Sequence, residues 1–243
     1  MPRRYDIVLM DADRTLFDFD RSEHEAVVRV LTAFGLPADR ETEETYLREN
    51  RAVWDAFDRG ELPQEILGRE RFVRFLRAVG REELDPEEMN RAYVAMLGEL
   101  PYLLPGALEL CQALHDAGCR LIIVTNGLTV AQTGRLTRSP LAPLIERMYI
   151  SEQLGCQKPE RRFFDLVFAD LGLTEAQRQR TVLLGDSLTS DILGGIRAGL
   201  DTIWFNQSGQ KVPKGLNITC IADNLTKVRS VILPECGEAE NFL

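Results

Sequence analysis

The sequence predicts an α/β protein, a parallel β-sheet covered by helices on both faces, with a block of helices inserted directly after the first strand. Three observations predict it. Short apolar runs of strand length alternate with helical patterns through residues 101–243, as βα units do. The stretch from about Asp20 to Leu97 is rich in Glu and Arg, its apolar residues recur at helical spacing, and it carries no strand signal. Carboxylates, a threonine and a lysine fall at or near strand ends, where ligands bind in open parallel sheets.

Residues 5–10 alternate weakly and end in an apolar run, the pattern of a buried strand, which leads into Asp11-Ala12-Asp13-Arg14-Thr15. In the helical block Ala26, Val27, Val30, Leu31 and Phe34 mark one amphipathic helix, and Phe72, Phe75, Leu76 and Val79 another. Gly35, Gly60 to Pro63 and Gly80 punctuate it. After Pro101 a helix over about 106–117 stops at Gly118. A strand over 120–124 ends on Thr125-Asn126-Gly127, and a further helix precedes a short strand near 148–150. Lys158-Pro159 is expected to open a helix reaching about Leu171. A strand over 181–184 is followed by Gly185-Asp186, and a helix near 190–198 stops at Gly199. Strands over 202–205 and 218–221 complete the sheet. The acidic stretch 235–243 is expected to fray. The implied division is a discontinuous α/β core, residues 1–16 and 101–243, and a helical insertion, residues 17–100. An insertion at that point is expected to act as a cap that excludes water and selects substrates.

The chain has 243 residues, 44% hydrophobic and 28% charged, as ordinary globular proteins do. Its net charge of −9 and the absence of a basic stripe exclude a polymeric nucleic acid as partner, while a small anion held by a few local groups is compatible with it. The longest apolar runs, 7–10 and 121–124, are far too short to span a membrane. Arg3 and Arg4 are followed by an apolar run that Asp6 interrupts, a poor signal peptide, so a cytoplasmic protein is expected. Five scattered cysteines without a C-x-x-C pair point to free or buried thiols in a reducing compartment. His24 and His115 have no partner at ligand spacing.

In a parallel sheet Asp11, Asp13, Thr125, Lys158, Asp186 and Asp191 can converge on one crevice. Several carboxylates do not crowd together without compensating charge, because like charges raise one another's pKa. A hard divalent cation answers this, and oxygen donors suit Mg²⁺. Lys158 adds a compact positive charge, and Thr125 supplies a hydroxyl beside the Asn126 and Gly127 amides, so Thr125, Asn126 and Lys158 are the expected phosphate-binding residues. One side of such a site holds metal and the other an oxyanion, the division that phosphoryl transfer needs. Asp11 is the expected nucleophile, forming an aspartyl-phosphate. Asp13 is the expected general acid and base, protonating the leaving oxygen and then taking a proton from water. Asp186 completes the metal site, and Asp191 stands behind it or orients Lys158.

This constellation resembles the haloacid dehalogenase (HAD) superfamily, whose order it follows: D-x-D-x-T at 11–15, Thr125, Lys158, and G-D-x-x-x-x-D at 185–191. The resemblance implies a Rossmann-like core, Mg²⁺ as cofactor with Asp11, Asp186 and the backbone carbonyl of Asp13 around it, and a helical cap of the C1 type. The stretches DADRTLFDFD, ENRAVWDAFDRGEL, VTNGLTVAQTGRL, ISEQLGCQKPERRFFD and GDSLTSDILGGIRAGL are similar to the pyrimidine 5'-nucleotidases of that superfamily. They imply hydrolysis of a small phosphorylated metabolite, a nucleoside monophosphate with pyrimidine favoured, by a monomer or homodimer. One departure is Arg14, a position that is often Glu in that subgroup. Phe17, Asn50 and Trp54 are the candidates for substrate selection, although an aromatic on an amphipathic helix is more often core. The alternatives are a phosphatase for phosphoglycolate or a sugar phosphate, a 2-haloacid dehalogenase, a phosphosugar mutase and a non-catalytic module. Dehalogenases of the superfamily lack the second Asp, because a halide leaves without a proton, and Asp13 argues against that alternative.

Overall fold

The computed structural model describes residues 3–234; Cys236 and the acidic stretch 235–243 lie outside them. The first strand, β1 (Ile7–Met10), is buried along its whole length, as an apolar run in the middle of a parallel sheet must be. Four helices follow it: α1 (Phe19–Ala33), α2 (Arg40–Asp58), α3 (Gln64–Ala78) and α4 (Pro86–Gly98). Then come α5 (Ala107–Asp116), β2 (Arg120–Thr125), α6 (Thr129–Arg138), β3 (Arg147–Ile150), α7 (Ser151–Leu154), α8 (Arg161–Asp170), α9 (Glu175–Arg178) and β4 (Thr181–Gly185). A π-helical turn, Leu188–Ile192, runs into α10 (Leu193–Ala198), and β5 (Asp201–Phe205), β6 (Cys220–Ala222) and α11 (Leu225–Ile232) close the order.

The six strands form one sheet in the order β3-β2-β1-β4-β5-β6, and every neighbouring pair is parallel. The chain builds outward from β1 to one side and then returns to build the other. That reversal leaves a crevice beyond the carboxyl end of β1. Asp11 is the first residue past that end, and its amide donates to the Leu184 carbonyl of β4 at 2.9 Å.

The chain divides into two compact units. The first holds the chain up to Asp18, Leu103–Thr129 and the chain from Ser139 onward; the second holds Phe19–Tyr102 and Val130–Arg138. In the second unit the sequence stripes become its core: Ala26, Val27, Val30 and Leu31 are buried, as are Phe72, Phe75 and Leu76. Phe34 and Val79, at the ends of those stripes, are half-buried. Tyr46 packs on Phe72 and Tyr93 with ring centroids 5.3 and 5.6 Å apart. Buried among these helices, Asn50 donates to Glu23 at 2.7 Å and accepts from Arg71 at 3.4 Å. Trp54 is half-buried and meets Phe57 edge-on at 5.6 Å. Most of α6 packs here because two glycines meet. A Cβ on Gly134 would stand 2.7 Å from the Gly98 carbonyl oxygen.

In the first unit α8 lays Phe163, Phe164, Val167 and Phe168 on a sheet face made by Ile7, Leu9, Ile122, Val124 and Leu183. α10 reaches the sheet through Gly195, where a Cβ would fall 2.5 Å from the Thr202 methyl and 3.1 Å from Leu183 Cδ2. The helices α7 and α9, four residues each, are too short to leave a periodic pattern. α11 shows its pattern only once Asn224 is recognised as its cap, accepting from the Lys227 amide at 2.8 Å. Cys111, Cys119, Cys156 and Cys220 are free thiols. Among the described residues no helix is long and apolar enough to cross a membrane. Substituting Gly195→Ala is expected to destabilise the fold by about 1–3 kcal/mol, overpacking outweighing the helix propensity gained. Adding Thr202→Ser, which removes the facing methyl, is expected to restore part of the loss in a thermal melt.

Candidate active site

β1, β2 and β4 each deliver a polar side chain to the same end of the sheet: Asp11 follows β1, Thr125 closes β2, and Asp186 follows β4. Lys158 stands three residues before a helix and does not open it. It lies in the turn between α7 and α8, and α8 begins at Arg161 with Glu160 as its cap. The reason is Pro159, whose ring disfavours helical backbone at the residue before it. Released from a helix, Lys158 is 1% exposed and turns inward. Its Nζ donates to Asp11 Oδ1, to Asp191 Oδ1 and to the Val124 carbonyl, each at 2.7 Å. All three ammonium protons are thereby used.

Two side chains hold this arrangement. Asn126 Nδ2 donates to the Lys158 carbonyl at 2.8 Å, while its Oδ1 accepts from the Lys158 amide at 2.9 Å. The sequence places Asn126 among the phosphate-binding residues. Its side chain brackets the lysine backbone, whereas the sequence reading concerned its backbone amide. Thr125 is buried, and its Oγ1 accepts from the Gly127 amide at 3.1 Å. Asp191 is also 1% exposed, brought inward by the π-helical turn. Its Oδ2 accepts from the Ser187 amide at 3.0 Å. Gly185 makes room for it, since a Cβ there would sit 2.3 Å from Asp191 Oδ2. The glycine of the G-D-x-x-x-x-D motif is thus a steric requirement of its last aspartate.

Asp13 sits in a tight loop after β1, where the Leu16 and Phe17 amides both donate to the Ala12 carbonyl at 3.0 and 2.9 Å. Asp13 is half-buried. Arg14 is exposed, its backbone in the left-handed region at φ 58°, and its amide donates to the Phe17 carbonyl at 2.9 Å. Phe17 is 1% exposed and packs inside this loop, bridging to Leu103. Asn50 and Trp54 belong to the helical unit, where their contacts are with Glu23, Arg71 and Phe57. Sequence reasoning missed Trp204, whose buried indole Nε1 donates to the Asp186 carbonyl at 2.9 Å. The signal was present: a tryptophan on a buried strand needs an acceptor for its N–H.

The electrostatics are those of crowded carboxylates. Burial pushes Asp11 well above the ordinary carboxylate range. Lys158 opposes the rise, and the charges of Asp191, Asp186 and Asp13 add to it. Asp186 is raised to about 7, by burial first and then by Asp191, while Arg14 and Lys158 pull it down. Burial alone would lower Lys158, but Asp11 and Asp191 hold it above its usual value. Oxygens of Asp11, Asp186 and Asp191 lie within 4.8 Å of one another. Three hard donors short of positive charge fit a divalent cation. The sequence set differs in one member, taking the Asp13 carbonyl where this cluster has Asp191.

A carboxyl group with a raised pKa contributes stability below its unfolded value and loses that contribution as pH climbs toward its folded one. With chelator present, Asp186→Asn is therefore expected to raise the melting temperature by a few degrees at pH 8. The gain is expected to shrink toward pH 5, a trend read by thermal unfolding across that range.

The sequence profile of the haloacid dehalogenase-like hydrolases matches residues 5–199. The chain is 35% identical to the pyrimidine 5'-nucleotidase PynA of Streptococcus pneumoniae over 202 residues, covering 83% of this chain and 84% of PynA. It is 30% identical to the pyrimidine 5'-nucleotidase YjjG of Escherichia coli over 229 residues, covering 94% and 98%. A crystal structure of the HAD-hydrolase YfnB from Bacillus subtilis bound to magnesium superposes with a TM-score of 0.87 at 31% identity, covering 94% of this chain and 99% of YfnB. The profile runs from before β1 to just past α10 and takes in β1 to β4, with every residue gathered around Lys158 inside it, and the chain is a member of the haloacid dehalogenase-like hydrolase family.

Proposed function

We propose that this hydrolase is a Mg²⁺-dependent phosphomonoesterase that forms an aspartyl-phosphate on Asp11 and acts on nucleoside monophosphates, pyrimidine ones above others. The observation that carries the reading is the Asp11 carboxylate bound to a buried ammonium, with Asp186 and Asp191 oxygens within 4.8 Å of it. That arrangement pairs a positioned nucleophile with positive charge for the phosphoryl oxygens. The likeness to PynA and YjjG supports the nucleotide, and the magnesium bound in YfnB supports the cofactor.

Asp11 attacks phosphorus, and the bond from phosphorus to the nucleoside oxygen breaks. Asp13 gives its proton to that oxygen, so the nucleoside leaves neutral. Water then attacks the phosphorus of the aspartyl-phosphate and passes a proton to Asp13. Phosphate departs, the Asp11 carboxylate is restored and Asp13 is again an acid. Lys158 keeps Asp11 oriented and offsets charge on the transferred group. Asp11, Asp186 and the Asp13 carbonyl would hold Mg²⁺, which when bound would neutralise charge on the phosphoryl oxygens. Thr125 and the Asn126 amide bind the same oxygens. Trp54 is the residue of the helical unit assigned to recognition of the leaving group, and the protein works in the cytoplasm.

With Mg²⁺ present the enzyme is expected to release inorganic phosphate from pyrimidine nucleoside monophosphates with a higher kcat/KM than from sugar phosphates or phosphoglycolate. Asp11→Asn is expected to lose on the order of 10⁴-fold or more in kcat, and Asp13→Asn about 10²–10⁴-fold. A phosphate-release assay over that panel reads all three. Equal activity on every phosphomonoester would remove the nucleotide assignment. Chloride release from a 2-haloacid without metal would replace the phosphatase.

A further inference from the structure

Asp186 is joined to the next residue by a peptide group that two buried side chains grip at once. Its carbonyl accepts from Trp204 Nε1 at 2.9 Å. The N–H at the other end of the same group, that of Ser187, donates to Asp191 Oδ2 at 3.0 Å. In a trans peptide the C=O and N–H point in opposite directions across a rigid plane. The plane is therefore anchored at both edges, and turning it breaks two hydrogen bonds. Since rotation about the Asp186 Cα–C bond moves this plane relative to the side chain, fixing the plane removes one of the rotations that set where the carboxylate points.

The two anchors are unlike. Asp191 also accepts from Lys158, so its removal disturbs the lysine as well. Among the described residues, the Trp204 side chain's hydrogen bond to this site is the one to the Asp186 carbonyl. It is fully buried on β5, in register with Gly185 of β4, so the sheet itself holds the indole in place. An aliphatic residue would fill a buried strand position equally well, but none offers an N–H.

We propose that Trp204 is a positioning residue for Asp186, its indole N–H orienting the Asp186–Ser187 peptide so that the carboxylate aims at the divalent-cation site it shares with Asp11. The inference rests on the Mg²⁺ reading above. Trp204 meets neither the cation nor the substrate, so its effect falls on metal affinity and leaves substrate binding alone. Partners that orient metal ligands typically change affinity by 10–100-fold when lost.

The test is calorimetric titration of Mg²⁺ into the resting full-length protein, with a melting curve in chelator beside it. Trp204→Phe keeps a ring and removes the N–H. It is expected to weaken Mg²⁺ binding about tenfold, while kcat at saturating Mg²⁺ and the substrate KM stay within about twofold of the parent. A variant that melts earlier but binds Mg²⁺ as tightly as the parent overturns the proposal, because a merely structural role does just that. If Trp204→Phe does not fold, benzothienylalanine in place of tryptophan, introduced in a Trp54→Phe background, removes only the N–H. Its Mg²⁺ affinity against the same background then decides by the same criterion. Absence of Mg²⁺ binding to the unsubstituted protein would instead bring down the metal reading itself, a result distinct from unchanged binding in the variant.

Discussion

A single ammonium group organises this molecule's chemistry. Lys158 is buried, and a buried charge without partners costs several kcal/mol even after relaxation. The fold answers with three acceptors on three elements: Asp11 after β1, the last-but-one carbonyl of β2, and Asp191 in the π-helical turn after β4. These elements are the central strand and its two neighbours. The lysine can be satisfied only when all three stand in register, so the pairing of the sheet and the assembly of the site are one event.

The surrounding residues follow from that requirement. Asn126 fixes the lysine's backbone from both sides, which turns a flexible side chain into a fixed one. Gly185 is needed because the aspartate facing the lysine lies against the backbone of β4. The same steric logic recurs in the helical unit, where Gly98 and Gly134 allow α4 and α6 to touch. In both places a missing side chain positions a neighbour.

Much of the fold was legible, because strand-length apolar runs and amphipathic stripes report burial directly. β1, β2, β4 and β5 appear within a residue or two of their expected positions. The elements that escaped are α7, α9 and the π-helical turn, whose signal is shorter than a period, and α11, which is little longer than two turns. The candidate site was legible as a set of residue types, less so as a set of contacts. Asp11, Asp186 and Lys158 announce themselves by charge at strand ends. The Val124 carbonyl carries no signal, since every residue has one. Asn126 was read through its backbone amide, and no sequence signal shows that its side chain turns to the Lys158 backbone. Lys158 was read at a helix start because proline is common there, whereas the residue before proline is the one excluded from the helix.

The parallel order of the sheet also dictates when the site comes into being. Asp11 meets partners that lie 147 and more positions away, and a parallel sheet has no short hairpin by which to bring them together early. A nascent chain extended through β3 carries Asp11 but not yet Lys158, Asp186 or Asp191. Loop closure over such a separation is entropically late and slow. The cluster around Lys158 is therefore complete only once β4 stands beside β1.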